Sequence, residues 1–393
     1  MIYLDYSATT PVNDSVLDSY VKTTLEYIGN ANSIHNLGVK SKELMMKATK
    51  QIANMLGCNF NEIIYTSGAS ESNSTAIKGI AFKYANRGKH IITSYYEHKS
   101  VVENMDYLSS LGYEISYVNL NSDGSIDLKH LESLIREDTI LVSICAVNSE
   151  VGFKAPLKTI RQIINKKNSK VVFHSDMTQA LGKIHVNLSD VDLASMSSHK
   201  IYAPKGIGLL YKKASINLTP ILYGSGHVNM LNPGTPPVPL IVSFAKAIRL
   251  ATTDLDKREN FVKRLNERVV TELSKYDGVL INQTKISIPH ILNISFKNIK
   301  AETFLHALEE YEIYVSTNTA CSSGELSTSV MALYNDRKRA SSTLRISLSY
   351  VTTTDEINRF LGCFKMVYQR LSVLSRENKE WKRGIYLSFL PLF

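Results

Sequence analysis

Between about residues 62 and 212, short apolar runs alternate with stretches of helical periodicity, and this alternation constrains the fold more than any other feature of the chain. Glu62-Ile63-Ile64-Tyr65-Thr66 reads as a strand and Ala69 to Ala85 as the helix that follows. His90-Ile91-Ile92-Thr93 reads as the next strand and His98 to Leu111 as the next helix. Further strands are expected at about 113–118, 139–147, 170–175, 192–197 and 207–211. Strands rich in Ile and Val, separated by helices, specify an α/β fold with a mostly parallel, seven-stranded sheet covered on both faces. Such sheets hold their ligands beyond the carboxyl ends of the strands. The residues just after each apolar run are therefore the ones to inspect.

After Pro239 the pattern changes. Leu240 to about Tyr276 reads as one long, charge-rich amphipathic helical stretch. Strands are expected near 290–296, 312–316 and 343–348, with helices near 301–310 and 354–375. This pattern predicts a smaller α+β domain. The expected division is a large domain over 13–255 and a small one from 1–12 and 256–393. The apolar end Gly384-Ile385-Tyr386-Leu387-Ser388-Phe389-Leu390-Pro391-Leu392-Phe393 is expected to pack on its own protein, with a partner-binding peptide or a frayed end as the alternatives.

Composition excludes several classes. A hydrophobic fraction of 44% with 21% charged residues rules out wholesale disorder. No apolar run approaches the roughly 18 residues of a membrane span, and Met1-Ile2-Tyr3-Leu4-Asp5 lacks a signal-peptide pattern. Cys58, Cys145, Cys321 and Cys363 lie far apart with no CxxC pair. Neither a metal site nor a disulfide scaffold is expected, and the cytoplasm is the expected compartment. The net charge is +9, but the basic residues are scattered and their densest clusters, such as Arg337-Lys338-Arg339, are short. A generally basic surface is the expectation, with direct nucleic-acid contact the lesser reading.

Ser197-Ser198-His199-Lys200 directly follows one strand, and Asp176 follows another, 24 residues before Lys200. Alone, a lysine is usually a surface residue. A lysine and an acid on neighbouring strand tips, however, suit pyridoxal 5'-phosphate, which takes a lysine for its Schiff base and a carboxylate for its pyridine nitrogen. Thr66-Ser67-Gly68-Ala69-Ser70-Glu71-Ser72-Asn73 runs from a strand into a helix N-terminus. Its small residues expose backbone amides, and the helix dipole favours an anion there. His98 follows the strand at 91–94 and is placed to cover an aromatic ring. Cradle, histidine, acid and lysine each have a plainer reading; their combination, each after a strand, is specific.

These segments resemble a class V aminotransferase-fold enzyme, most closely a cysteine desulfurase of the NifS/IscS type, a pyridoxal phosphate enzyme of fold type I. The resemblance runs from Tyr3-Leu4-Asp5-Tyr6-Ser7-Ala8-Thr9-Thr10-Pro11 to about Phe364, and Ser198-His199-Lys200-Ile201-Tyr202-Ala203-Pro204-Lys205-Gly206-Ile207-Gly208 is its most specific motif. It implies that Lys200 carries the cofactor, that Asp176 pairs with the ring nitrogen, and that Gln179 bonds the ring oxygen. It implies that His98 stacks on the ring and handles protons, and that Ala69, Ser70, Ser197 and His199 bind the phosphate. Thr235, in Pro233-Gly234-Thr235-Pro236, matches a threonine that reaches the other subunit's phosphate, which implies a homodimer.

Cys321, among small and polar residues in Ser316-Thr317-Asn318-Thr319-Ala320-Cys321-Ser322-Ser323-Gly324, matches the catalytic cysteine. Arg345 matches the arginine that clamps the substrate carboxylate, and Ser149 and Asn32 fall at substrate-binding positions. Ser149 stands where the family usually has asparagine, and residues 227–233 lack the family's usual charged pair; both departures put substrate preference and turnover in question. The implied reaction removes the α-proton of L-cysteine through Lys200 or His98. Cys321 then attacks the sulfur, alanine leaves, and the persulfide passes to an acceptor protein. Iron–sulfur cluster assembly and thiolation of tRNA or DNA are the acceptor pathways left open. Alternatives are an aminotransferase or selenocysteine lyase on the same fold, or a low-turnover cofactor-binding scaffold.

Overall fold

The computed structural model describes residues 1–224, 231–317 and 326–388, with side chains through residue 373. Cys321, residues 227–230 and the last residues of the apolar tail lie outside the described residues. Two units divide the chain: Thr9–Ser149 with Phe153–Arg258, and Met1–Ala8 with Glu150–Gly152 and the chain from Glu259 onward. The first boundary falls after Ala8 rather than after residue 12. The Thr10 amide donates to His199 O at 2.9 Å and the Asn13 amide to Tyr202 O at 3.0 Å, which ties this segment to the larger unit. Before it, β1 (Ile2–Tyr3) pairs in parallel with a short strand at Ile313–Tyr314.

The larger unit is built on β2 (Ile63–Thr66), β3 (His90–Ser94), β4 (Glu114–Val118), β5 (Thr139–Ser143), β6 (Val172–Asp176), β7 (Leu193–Ser197) and β8 (Gly208–Lys212). Their order in the sheet is β2-β8-β7-β6-β5-β3-β4, and only β8 runs against the rest. The central strands β3, β5, β6 and β7 are buried along their whole length, as a parallel sheet covered on both faces requires. Ile77, Ile80, Val101, Met105 and Leu108 from the crossover helices pack with Ile64, Ile91, Leu141 and Leu210 of the strands. One edge of this sheet gathers Thr66, Ser94, Ser143, Asp176 and Ser197, the last residues of five co-directional strands.

The long helical stretch expected over 240–276 is two helices, Val238–Thr252 and Leu255–Leu273. Between them, Asp254 takes a left-handed φ of 53°. Local competition for carbonyls accounts for the break. The hydroxyls of Thr252 and Thr253 both donate to Arg249 O, at 3.3 and 2.7 Å, and the Arg258 guanidinium donates to Leu250 O at 2.6 Å. Arg258 is also the last residue of the larger unit.

In the smaller unit β9 (Val279–Ile281), β10 (Ile291–Phe296) and β12 (Thr343–Ser347) form an antiparallel sheet with β10 in the middle, while β11 (Ile313–Tyr314) receives β1. Its core is aromatic, with Phe304 stacked on Phe296 at 4.5 Å between ring centres and tilted against Phe364 at 4.7 Å. Glu150–Gly152 joins this unit through specific bonds. Gly152 O accepts from the Ile288 amide at 2.8 Å, and Val151 O accepts from Ser287 Oγ at 2.8 Å. The C-terminal helix extends over Thr354–Ser388, beyond the expected end at 375.

Candidate active site

The cradle forms where β2 turns into the helix Ala69–Lys83. Gly68 caps this helix, and no side chain bonds its first amides, so they remain for an anion. Thr66 Oγ1 donates to Gly68 O at 3.0 Å and lies 2.8 Å from Ser72 Oγ, while Glu71 accepts from the Ser67 amide and hydroxyl at 2.7 and 2.6 Å. These bonds set the turn without using its outward amides. Gly208 pairs with both Thr66 and Ser197. A Cβ on Gly208 would meet Gly68 Cα and C at 2.6 Å, so β8 can lie this close to the cradle only as glycine.

Ser197 ends β7, and Ser198–Lys200 is a single 3-10 turn. The turn is fastened from outside: Thr10 Oγ1 donates to His199 O at 3.0 Å and accepts from the Tyr202 amide at 2.7 Å. Tyr202 has a left-handed φ of 67°, a conformation a bulky side chain adopts at a cost in energy and one that marks functional turns. Burial, with the charges of Lys200, Lys205 and Lys183, pulls the His199 pKa down to about 4, so its imidazole is neutral at pH 7. His199 Nδ1 lies 3.1 Å from Thr9 Oγ1.

Asp176, 7% exposed at the tip of β6, accepts from the Thr178 amide at 2.9 Å and from Asn73 Nδ2 at 2.8 Å. Gln179 Oε1 accepts from the buried Lys183 Nζ at 2.7 Å. That bond turns the amide so that its NH2 faces away from Lys183, which suits donation to a ligand oxygen. His98 is the N-cap of the helix Lys99–Ser110, with Nδ1 accepting from the Ser100 amide at 3.1 Å. Beside it, Glu97 is buried and accepts from Ser94 Oγ at 2.5 Å and the Cys145 amide at 2.8 Å, while its Oε2 has no partner among the described residues.

Burial dominates at Glu97 and, despite those two bonds and with Asp176 nearby, pushes its pKa up to about 8. It is a neutral acid at pH 7. The folded protein therefore holds a proton that the unfolded chain has lost, so stability from this group falls as pH rises from the ordinary carboxyl range to about 8 and then levels off. Glu97→Gln keeps the accepting oxygen and removes the titration. Its urea midpoint is expected to match the wild type near about pH 5 and to exceed it near about pH 8.5. Equal midpoints at both values would show that Glu97 does not titrate late.

In the smaller unit Arg345 lies at the centre of β12, 1% exposed, and its Nη2 donates to Asp5 Oδ1 at 2.9 Å. Arg345 also exchanges backbone bonds with Ser316, at 2.7 and 3.1 Å, where the chain departs toward residue 318. Beyond the undescribed stretch, Ser327 caps the helix Thr328–Tyr334 and donates to the buried Glu150, whose pKa burial raises. The segments flanking Cys321 thus begin at Arg345's partner and end at Glu150's.

Of the sequence-predicted residues, Ala69, Ser70, Ser197, His199, Lys200, Asp176, Gln179 and His98 all belong to the larger unit and lie at or just after strand ends of its sheet. Thr235 is exposed and borders a cavity of about 660 Å³ that Ser67, Glu71 and Gly206 also line. Ser149 follows Asn148, whose Nδ2 donates to Tyr96 O at 2.8 Å. Asn32 lies in the turn before the helix Asn36–Leu56, with its amide donating to Asn30 Oδ1 at 2.9 Å. Sequence reasoning missed Asn73, Ser100, Lys183 and Glu97. Helical spacing is the available signal for two of them: Asn73 is four residues after Ala69, and Lys183 is four after Gln179. Among the described residues no cluster of metal-ligating side chains occurs, and no helix is long and apolar enough to cross a membrane.

The family described as Aminotransferase class-V matches residues 2–360, and the chain belongs to it. Its cofactor is pyridoxal 5'-phosphate. The geometry fits that group: uncapped amides beside two glycines suit a phosphate, and a buried carboxylate one strand away from a lysine turn suits a pyridine ring. Cysteine desulfurase IscS of Dictyoglomus turgidum is 36% identical over 387 residues, covering 97% of this chain and 98% of its own. A solved structure described as a NifS-like protein superposes with a TM-score of 0.88 at 37% identity, covering 95% of this chain and 99% of its own. Another, described as SspA in complex with cysteine, has a TM-score of 0.77 at 30% identity, with 90% and 100% covered.

Proposed function

We propose that the protein is a cysteine desulfurase that converts L-cysteine to L-alanine and carries the sulfur as a persulfide on Cys321. The observation that carries this reading is the β6–β7 register: Asp176 pairs with Ser195, two residues before the end of β7 and five before Lys200. An acid and a lysine then stand at adjacent strand ends, above an uncapped helix N-terminus.

The residues take these roles. Ala69, Ser70, Ser197 and His199 hold the phosphate, and Thr235 of a second copy completes that site in a homodimer. Asp176 holds the pyridine nitrogen, Gln179 bonds the ring oxygen and His98 covers the ring. When bound, the cofactor supplies an electron sink for the carbanion at Cα. Arg345, Ser149 and Asn32 orient the substrate carboxylate. Lys200 or His98 takes the α-proton: the Cα–H bond breaks, its electron pair stays with the carbon and the proton goes to a ring or amine nitrogen. The Cys321 thiolate then attacks the substrate sulfur: the S–S bond forms as Cβ–Sγ breaks, the electron pair of that bond stays with the carbon fragment, and the fragment takes up protons to leave as alanine. The two units divide these tasks, with the nucleophile on the smaller.

The sulfur passes to an acceptor protein serving iron–sulfur assembly or thiolation of tRNA or DNA, in the cytoplasm. Cysteine in the SspA structure supports the substrate, since that protein is similar over 90% of this chain. The test is an assay of the purified protein with L-cysteine and a reductant, in which sulfide and alanine are expected in equal amounts. Alanine exchange with an oxo acid, without sulfide, would replace this reading with an aminotransferase.

A further inference from the structure

Four side chains form a continuous hydrogen-bonded chain from Asp176 to His98. Asn73 Nδ2 lies 2.8 Å from Asp176 Oδ2 and 2.9 Å from Ser100 Oγ, and Ser100 Oγ lies 2.8 Å from His98 Nδ1. All four belong to the larger unit. The chemistry of the groups sets the direction of every bond.

A carboxylate only accepts, so the Asn73 amide must turn Nδ2 toward Asp176; the flipped amide would set two oxygens against each other. Asn73 is fully buried, so water offers no alternative. One Nδ2 hydrogen goes to Asp176, and the other points to Ser100 Oγ. Having accepted from Asn73, Ser100 Oγ keeps its own hydrogen for His98 Nδ1. The Ser100 amide donates to the same Nδ1 at 3.1 Å, as the helix cap requires. Nδ1 must then present a lone pair, and a neutral ring carries its proton on Nε2. Protonating Nδ1 would break the cap and oppose both donors.

We propose that Asn73 and Ser100 are positioning residues that hold His98 as a neutral imidazole protonated at Nε2, making it a hydrogen-bond donor toward the ligand and not a base. Of the two groups named for taking the α-proton, this leaves Lys200. The inference rests on the cofactor site proposed above, but its test does not need turnover.

The experiment is a 15N spectrum of the cofactor-loaded protein labelled at its histidine side chains, recorded at neutral pH without substrate. His98→Gln identifies the His98 signals by their loss. The expected wild-type pattern is a single neutral ring with the proton on Nε2. In Ser100→Ala, a second population protonated at Nδ1 is expected, with kcat reduced roughly tenfold and KM changed by less than about twofold, the effect of one lost hydrogen bond. Ser100→Thr, which restores the hydroxyl, is expected to restore both. A wild-type ring protonated at Nδ1, or a Ser100→Ala ring identical to the wild type, overturns the proposal. An Nε2-protonated ring in a protein that fails to turn over L-cysteine would refute the desulfurase reading and leave this one standing.

Discussion

Lys200→Ala is expected to lose the visible absorption of the covalently attached cofactor and to reduce alanine formation by roughly a thousandfold or more, since anchor and proton acceptor go together. The fold is expected to survive. The backbone bonds of the turn, Ile201 N to Ser198 O at 3.0 Å and Thr10 N to His199 O at 2.9 Å, do not involve the lysine side chain. The phosphate cradle and Asp176 also remain, so the variant should still bind the cofactor without covalent attachment. Borohydride reduction followed by peptide mass measurement separates these outcomes. The wild type should carry the cofactor on the peptide containing Lys200, and the variant on none. Lys183 and Lys205 are the nearby controls, because both act electrostatically on His199. A reduced adduct on either one in the wild type would move the anchor and sink the assignment of Lys200.

The strand tips were the legible part of this molecule. Each of the buried strands β3, β5, β6 and β7 carries apolar residues and ends on a small polar or acidic one, Ser94, Ser143, Asp176 or Ser197. Asp176 and the Ser197–Lys200 segment are visible in the sequence for that reason. What links them is not. Asn73 meets Asp176 across 103 residues of chain, and Ser100 meets Asn73 across 27. No local pattern encodes such a bond, because it depends on which strands become neighbours in the sheet. The pairing of Arg345 with Asp5, 340 residues apart, is hidden in the same way. The short strand β1 also escaped notice, since two residues carry no periodicity. The break at Asp254 is a different failure. The apolar period continues through it, while threonine hydroxyls and the Arg258 guanidinium compete for the carbonyls that would carry the helix on. Periodicity reports which face is buried, and it does not report whether the backbone ladder is unbroken.

Cys321→Ala is expected to leave the cofactor absorption intact and to abolish both persulfide and stoichiometric sulfide, with alanine formation reduced on the order of a thousandfold. Of the four thiols, three are unsuited to the task. Sulfur transfer needs a thiolate, and burial sets Cys58 and Cys145 against it. Burial and the charge of Glu62 push Cys58 up to about 11, and full burial pushes Cys145 well above its usual range. The Cys145 thiol also donates to Tyr96 O at 3.3 Å, which fixes it as a protonated structural group. Cys363 is packed in the aromatic core of the smaller unit. Cys321 remains, in sequence between Ser316, which exchanges backbone bonds with Arg345, and Ser327, which donates to Glu150. Ser316 thus lies next to the proposed carboxylate clamp and Ser327 next to a buried acid. After a single addition of L-cysteine, alkylation and peptide mass measurement should find one extra sulfur on the wild-type peptide containing Cys321 and none on the peptides containing Cys58, Cys145 or Cys363. A Cys321→Ala protein that still released sulfide at the wild-type rate would remove the nucleophile from the mechanism and leave the cofactor site to other chemistry.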